Sequence, residues 1–281
     1  VSVHPPAPRV SVVIPTYNRA WSLATALDSV LSQDFGAFET IVVDDGSSDE
    51  TPALLAGYGA ALRVIRQPNR GVSAARNAGI RAARAPLVAL LDSDDYWLPG
   101  KLAAQTAFFD QNPEALICQT EEIWIRNGVR VNPGKRHRKR SGMIFGPSLE
   151  LCLVSPSAVM LRRSLFDSVG FFDERLPACE DYDLWLRIGC RHPVHLIERP
   201  LIVKRGGHPD QLSRAPGLDR YRIRAICRLL ARNKLTADQR RAAWETLAAK
   251  CAIYAAGCRK RGRGAEAEGC LALVARLKPE A

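Results

Sequence analysis

The sequence predicts an α/β fold: a mostly parallel central sheet flanked by helices, with a helical appendage at the C-terminal end. Three observations predict it. Apolar, β-branched runs alternate with helix-periodic segments up to Leu91, polar clusters follow three of those runs directly, and from Asp219 onward only helical patterns remain.

Val10-Ser11-Val12-Val13-Ile14 reads as a strand stopped at Pro15, and Ala20 to Leu31 as a helix with Trp21, Leu23, Ala26, Leu27, Val30 and Leu31 at helical spacing. Thr40 to Val43, Leu62 to Ile65 and Leu87 to Leu91 continue as strands, with helices at Glu50 to Tyr58 and Val72 to Ala83. Repeated βα units imply parallel strands covered on both faces, with the ligand crevice beyond their carboxyl ends. There the chain places Thr16-Tyr17-Asn18, Asp44-Asp45-Gly46-Ser47 and Asp92-Ser93-Asp94-Asp95. A helix near Leu98 to Asp110 leads into a mixed half, with strands at Ala115 to Ile125, Ser157 to Leu161 and Val194 to Lys204 and a helix at Glu180 to Cys190. The tail is helical, broken near Asn233 to Thr236 and Arg261 to Gly264, and its boundary is expected near residue 216.

The chain has 281 residues, 47% apolar and 25% charged, enough for one large domain and an appendage. Its longest apolar stretches fall far short of the roughly 20 residues that span a bilayer, and Val1 to Arg9 has no secretory apolar region, so a cytoplasmic setting is expected. The eight cysteines form no CxxC pairs, which points to reduced thiols and away from zinc. The net charge of +11 is concentrated in residues 219 to 281, with 15 Lys and Arg against 6 Asp and Glu. Such a tail suits an anionic partner, with a membrane surface favoured over nucleic acid because no nucleic-acid module accompanies it; a merely solvated basic face explains it as well.

Three carboxylates at one strand end, Asp92, Asp94 and Asp95, are costly without a cation, and hard ions such as Mg²⁺ or Mn²⁺ bridge carboxylates to diphosphates. Helix capping accounts for one of the three. Asp44 and Asp45 lie where they could accept from a nucleoside's hydroxyls. Asp181, within Glu180-Asp181-Tyr182-Asp183, suits either a helix dipole or a general base. His208 sits in a Gly/Pro loop, where exposure without function and a metal or diphosphate contact both remain open. No GxGxxG opens a helix after the first strand, and no GxxxxGK[ST] or GxSxG occurs, which disfavours dinucleotide, P-loop and hydrolase chemistry.

The ordered set Val12-Val13-Ile14-Pro15-Thr16-Tyr17-Asn18, Val42-Val43-Asp44-Asp45-Gly46-Ser47, Asn69-Arg70-Gly71 with Ala75-Arg76-Asn77, Asp92-Ser93-Asp94-Asp95, Glu180-Asp181-Tyr182, and Leu212-Ser213 after His208 resembles family 2 of the nucleotide-sugar glycosyltransferases, over roughly residues 9 to 213. The resemblance implies a GT-A fold in residues 1 to 216, with a nucleotide-binding half at 9 to 112 and an acceptor-side half at 113 to 216, followed by a basic helical unit at 217 to 281. It also implies an inverting transfer from a nucleoside-diphosphate sugar, with UDP-sugars favoured, to a glycan or lipid-linked acceptor. By position, Pro15, Thr16, Tyr17, Asp44, Asp45, Arg76, Asp92 and Ser93 would hold the donor. Asp94, with His208, would bind Mn²⁺ or Mg²⁺, and Asp181 would be the general base. The departure is Lys204-Arg205 followed by Gly206-Gly207, where the family often has an Arg just before the histidine. A sugar-phosphate nucleotidylyltransferase would need a Gly-rich basic signature where Pro15 to Arg19 stands. An inactive binding protein would not be expected to keep Asp92, Asp94 and Asp181. Trp124, the basic loop Lys135 to Arg140 and Ser155-Pro156-Ser157 are placed on the acceptor side by position alone.

Overall fold

The computed structural model describes residues 7–212, 217–232 and 234–279. Part of the N-terminal stretch read above for a leader, the motif residue Ser213 and the expected boundary at residue 216 lie outside the described residues.

Strand β1 (Val10–Thr16) leads to α1 (Ala20–Leu31), β2 (Phe38–Asp44), α2 (Thr51–Gly57), β3 (Arg63–Arg66), α3 (Val72–Ala82) and β4 (Leu87–Leu90). Then come β5 (Tyr96–Trp97), α4 (Lys101–Gln111), β6 (Ile117–Arg126), β7 (Val129–Val131), α5 (Phe145–Glu150), β8 (Val159–Arg162), α6 (Leu165–Val169), α7 (Glu180–Gly189) and β9 (His195–Gly206). The last elements are α8 (Asp219–Ala231), α9 (Ala237–Lys260) and α10 (Gly264–Arg276).

One nine-stranded sheet runs β3-β2-β1-β4-β8-β6-β9-β5, with β7 on β6. The first four strands are mutually parallel, as the βα alternation requires, and β8 enters antiparallel to β4. The mixed second half expected from the sequence is present, and the two-residue β5 is too short to carry a period-two pattern. It exists because Trp97 pairs with Ile202 on β9.

Strand β1 is buried along its whole length, which is why its pattern is a continuous apolar run instead of an alternation. One face packs Val12, Ile14 and Val42 against Leu23, Leu27 and Leu102 from α1 and α4; the other packs Val13, Ile41 and Leu90 against Ile80, Phe166, Leu184 and Trp185 from α3, α6 and α7. The third core joins the tail to the body: Ile223, Ile226, Leu229 and Leu247 pack with Phe145, Leu149, Tyr182 and Leu186. Helix α7 therefore serves the sheet on one side and the appendage on the other. The basic helices of the tail thus share a core with α5 and α7.

Candidate active site

Loops from the carboxyl ends of β1, β2 and β4, the start of α7, the end of β9 and the start of α8 enclose one cleft of about 760 Å³. Pro15, Thr16, Tyr17, Asp45, Arg76, Asp92, Ser93, Asp94, Asp181 and His208 all line it. Residues up to 193 positions apart in the chain are thus brought together, and all but one of the donor, metal and base positions expected from the sequence are present.

The exception is Asp44. Its buried carboxylate accepts from the Ser47 backbone N–H at 2.9 Å and lies 3.4 Å from Arg66, outside the cleft wall. This corrects the expectation that both acids face the donor: side chains alternate along an extended segment, so of two successive acids only one can point at the cleft. Asp45 does, and it accepts from the Arg70 and Gly71 backbone N–H groups at 3.0 and 2.8 Å and from Gln67 at 2.7 Å. Gly46 makes the close approach possible. It adopts φ +81°, and a Cβ there would lie 2.9 Å from the Asn69 nitrogen. Next to it on β1, Thr16 accepts from the Asp45 backbone N–H at 2.9 Å through its carbonyl, while its hydroxyl is buried with no hydrogen-bond partner among the described residues.

The acidic loop after β4 is held by Ser157, whose hydroxyl donates to Asp95 at 2.6 Å and accepts from the Asp92 N–H at 3.1 Å. Asp95 also accepts from the Arg205 N–H at 2.9 Å, while the Arg205 guanidinium donates to the Asp94 carbonyl at 2.6 Å. Burial, reinforced by Asp94 and Asp92, pushes the Asp95 carboxyl well above the usual range. Asp95 is therefore scaffold, and Asp94 is the carboxylate presented to the cleft. Burial and then Asp92 push Asp94 up as well, against the pull of His208 and Arg19.

His208 is hydrogen-bonded on both sides, Nε2 to Asp94 at 2.8 Å and Nδ1 to Asp210 at 2.7 Å, and Arg19 pairs with Asp210 in turn. A neutral imidazole donates from one nitrogen only, so with Nδ1 donating to Asp210 a lone pair on Nε2 faces the Asp94 carboxylate. A proton or a metal cation resolves that opposition. The cleft lining carries seven carboxylates against the five guanidinium and ammonium groups of Arg19, Arg76, Lys204, Arg205 and Arg222. Among the described residues no cluster of three or more ligating side chains occurs. Asp94 and His208 are the two side chains that could hold Mg²⁺ or Mn²⁺, ions that commonly take only one or two protein groups beside diphosphates.

Arg76 joins the two halves of the cleft, donating to Asp92 and to Glu180, each at 2.6 Å. Burial opposes its charge, but the two carboxylates hold the guanidinium protonated beyond its usual strength. Glu180 is thereby committed to structure, and Asp181 is left to the cleft. Its Oδ1 accepts from the Tyr182 N–H at 2.7 Å and its Oδ2 lies 3.5 Å from Cys152 Sγ. Cys179, just before this pair, sits at φ +60°. A left-handed backbone is uncommon for a residue with a side chain, and here it starts α7 so that Asp181 enters the cleft.

Sequence reasoning missed Cys152, Cys179, Lys204 and Arg222, which line the cleft. No motif marks them. Of the acceptor-side positions, Ser155 and Pro156 line the cleft and Ser157 is buried scaffold. Trp124 lies instead beside a separate recess of about 230 Å³ with Lys135, His137 and Arg138.

Comparison with known proteins follows the same line. A family model described as Glycosyl transferase family 2 matches residues 11–170. An uncharacterized glycosyltransferase of Rickettsia prowazekii, RP339, is 32% identical over 204 residues, covering 71% of this chain; the chain spans 64% of that relative, under two thirds of its length. Among solved structures, residues 1–349 of Staphylococcus aureus TarS in complex with UDP-GlcNAc superimpose with a TM-score of 0.76 at 21% identity, over 95% of this chain and 81% of that one. The mannosyltransferase PcManGT of Pyrobaculum calidifontis, in complex with GDP-Man and Mn²⁺, gives a TM-score of 0.58 at 21% identity, over 96% and 85%.

Proposed function

The chain belongs to glycosyl transferase family 2, and from that premise we propose that it transfers a sugar from a nucleoside-diphosphate donor to an acceptor hydroxyl by a metal-assisted single displacement that inverts the anomeric centre. The observation that carries this reading is the convergence of Asp45, Asp94, His208 and Asp181 on one cleft, with Arg76 bracing the donor side against the base side. The complexes of TarS with UDP-GlcNAc and of PcManGT with GDP-Man and Mn²⁺ support a nucleotide-sugar donor and a divalent ion for this chain too.

Asp45 and the orphan Thr16 hydroxyl receive the nucleoside, Tyr17 and Pro15 close over it, and Asp92 and Ser93 meet the ribose side. Asp94 and His208 would hold Mn²⁺ or Mg²⁺, which when bound supplies Lewis-acid stabilisation of the departing diphosphate. Asp181 accepts the proton of the acceptor hydroxyl as its oxygen bonds to the anomeric carbon. The bond to the diphosphate breaks with its electron pair leaving on the nucleotide. The acceptor is a surface glycan or a lipid-linked one, reached on the cytoplasmic face of a membrane through the basic helices.

The test is binding and slow hydrolysis of UDP-, GDP- and dTDP-sugars with and without Mn²⁺, in the native chain, Asp94→Ala and Asp181→Asn. One donor hydrolysed only with metal, and not by Asp94→Ala, is the expected result. Failure of every nucleotide sugar to bind would sink the transferase reading.

A further inference from the structure

We propose that Cys152 is a positioning residue for Asp181: its thiol donates to the carboxylate of the base and holds it in the direction from which it receives the acceptor's proton. This rests on the transferase reading and on Asp181 as its base, and adds a residue that no motif marks. The Cys152 Sγ lies 3.5 Å from Asp181 Oδ2, both side chains line the cleft, and the other oxygen, Oδ1, accepts from the Tyr182 N–H at 2.7 Å.

The first turn of α7 carries Glu180, Asp181 and Asp183, and the three acids are held differently. Glu180 accepts from Arg76 at 2.6 Å, and Asp183 accepts from the Arg187 guanidinium at 2.9 and 2.8 Å. Asp181 has no ion-pair partner among the described residues; apart from the adjacent backbone N–H, the donor that reaches it is a neutral thiol. A guanidinium fixes a carboxylate but stabilises its charge and so weakens it as a base, whereas a thiol is a weak donor that supplies direction at little cost in basicity.

The contact is fixed from both sides. The Tyr182 hydroxyl donates to the Leu149 carbonyl at 2.6 Å, which ties the residue after Asp181 to the chain just before Cys152. The Cys152 side chain packs against two cores at once, that of the sheet with Val154, Leu184 and Trp185 and that of the tail with Leu149, Tyr182 and Leu186. Its one proton has two acceptors in reach, Asp181 Oδ2 and the Val154 carbonyl at 3.3 Å. While Asp181 is ionised, its charge makes it the stronger acceptor. Once Asp181 has taken the proton of the attacking hydroxyl, the thiol turns to the Val154 carbonyl, and its own proton stays on sulfur throughout. Burial and the Asp181 carboxylate push this thiol well above the usual range, against the pull of Lys204, so the donor is present whenever the carboxylate is.

The experiment uses the full chain, Mn²⁺ and whichever UDP-, GDP- or dTDP-sugar the native chain hydrolyses, so that water is the hydroxyl whose proton Asp181 takes. Native hydrolysis and its loss in Asp181→Asn are measured first: absence of the former removes the transferase reading, and hydrolysis undiminished in Asp181→Asn removes the base and this inference with it. We expect Cys152→Ala to lower kcat about tenfold with the donor KM unchanged, and Cys152→Ser, which keeps a donor in place, to stay within about threefold of the native chain. Cys227→Ala, a thiol of α8 outside the cleft lining, should leave both constants unchanged. Thermal melts of each variant separate a lost contact from lost folding.

A second measurement needs no nucleotide sugar. The infrared S–H stretch of Cys152, isolated as the difference between the native chain and Cys152→Ala, falls in frequency as its acceptor strengthens. We expect Asp181→Ala to raise it, because the thiol is left with the neutral Val154 carbonyl. Equal kcat in the native chain and Cys152→Ala, a folded Ser variant no better than the Ala variant, or an S–H band unmoved by Asp181→Ala overturns the inference and leaves the transferase reading standing.

Discussion

Arg76 ties together residues 16 and 104 positions away, and its environment sets what can replace it. Only 4% of its side chain is exposed, and it neutralises two carboxylates at once. Arg76→Met leaves a buried Glu180 and a partly exposed Asp92 without a cation. We expect a loss of about 3–5 kcal/mol in urea unfolding, with donor binding failing alongside. Lys101 is the opposite case, a fully buried amine with Gln105 Oε1 at 2.5 Å and the Trp97 ring at 4.2 Å but no carboxylate, and burial lowers it to about 7. Because the folded pKa lies below the unfolded one, the penalty is absent above about pH 10.4, grows as pH falls, and is complete below about 7. Lys101→Met should therefore raise stability by roughly 2–4 kcal/mol at pH 7 and by little at pH 10. Melting temperatures at the two pH values decide it; an equal shift at both would contradict the buried-amine account.

At the scale of elements, helix α3 owes its place to a missing side chain. A Cβ at Gly79 would lie 2.3 Å from Val13 Cγ1, so the helix sits directly on β1 and presents Arg76 to the cleft. Alanine is the better helix former, yet Gly79→Ala should cost about 1–3 kcal/mol by overpacking, measurable as a lowered urea midpoint. Helix α9 shows the reverse economy, in which local chemistry suffices. The Thr236 hydroxyl accepts from the Gln239 N–H at 3.2 Å while the Gln239 side chain accepts from the Thr236 N–H at 3.1 Å, a full capping box. Thr236→Ala should lower stability by about 1 kcal/mol without altering donor hydrolysis.

Across the whole molecule, the tail shares a core with α5 and α7 and cannot be removed without exposing Phe145, Leu149 and Tyr182. Its outer surface is basic: Arg224, Arg232, Arg241, Arg259, Lys260 and Arg263 are all exposed. Among the described residues no helix is long and apolar enough to cross a membrane. If these side chains meet an anionic bilayer, each contributes about 1 kcal/mol. Replacing Arg259, Lys260 and Arg263 by Gln should release the protein from phosphatidylserine vesicles and leave soluble donor hydrolysis unchanged; vesicle sedimentation unaffected by the triple change would exclude this surface.

The parallel half-sheet, the helical tail with its breaks, and the loops that carry Thr16, Asp45, Asp92 and Asp94 are legible in the sequence, because strand and helix periods and turn chemistry act over a few residues. How each of several adjacent acids is engaged depends instead on the packing of distant elements. Asp44 closes a turn, Asp95 is held by Ser157 and Arg205 and Glu180 by Arg76, while at the cleft Asp45 is held by Gln67, Arg70 and Gly71 and Asp94 by His208. Lys204 and Arg222 were likewise invisible. Each occupies an ordinary basic position in its own element, and their presence in one cleft lining depends on packing that no local pattern encodes.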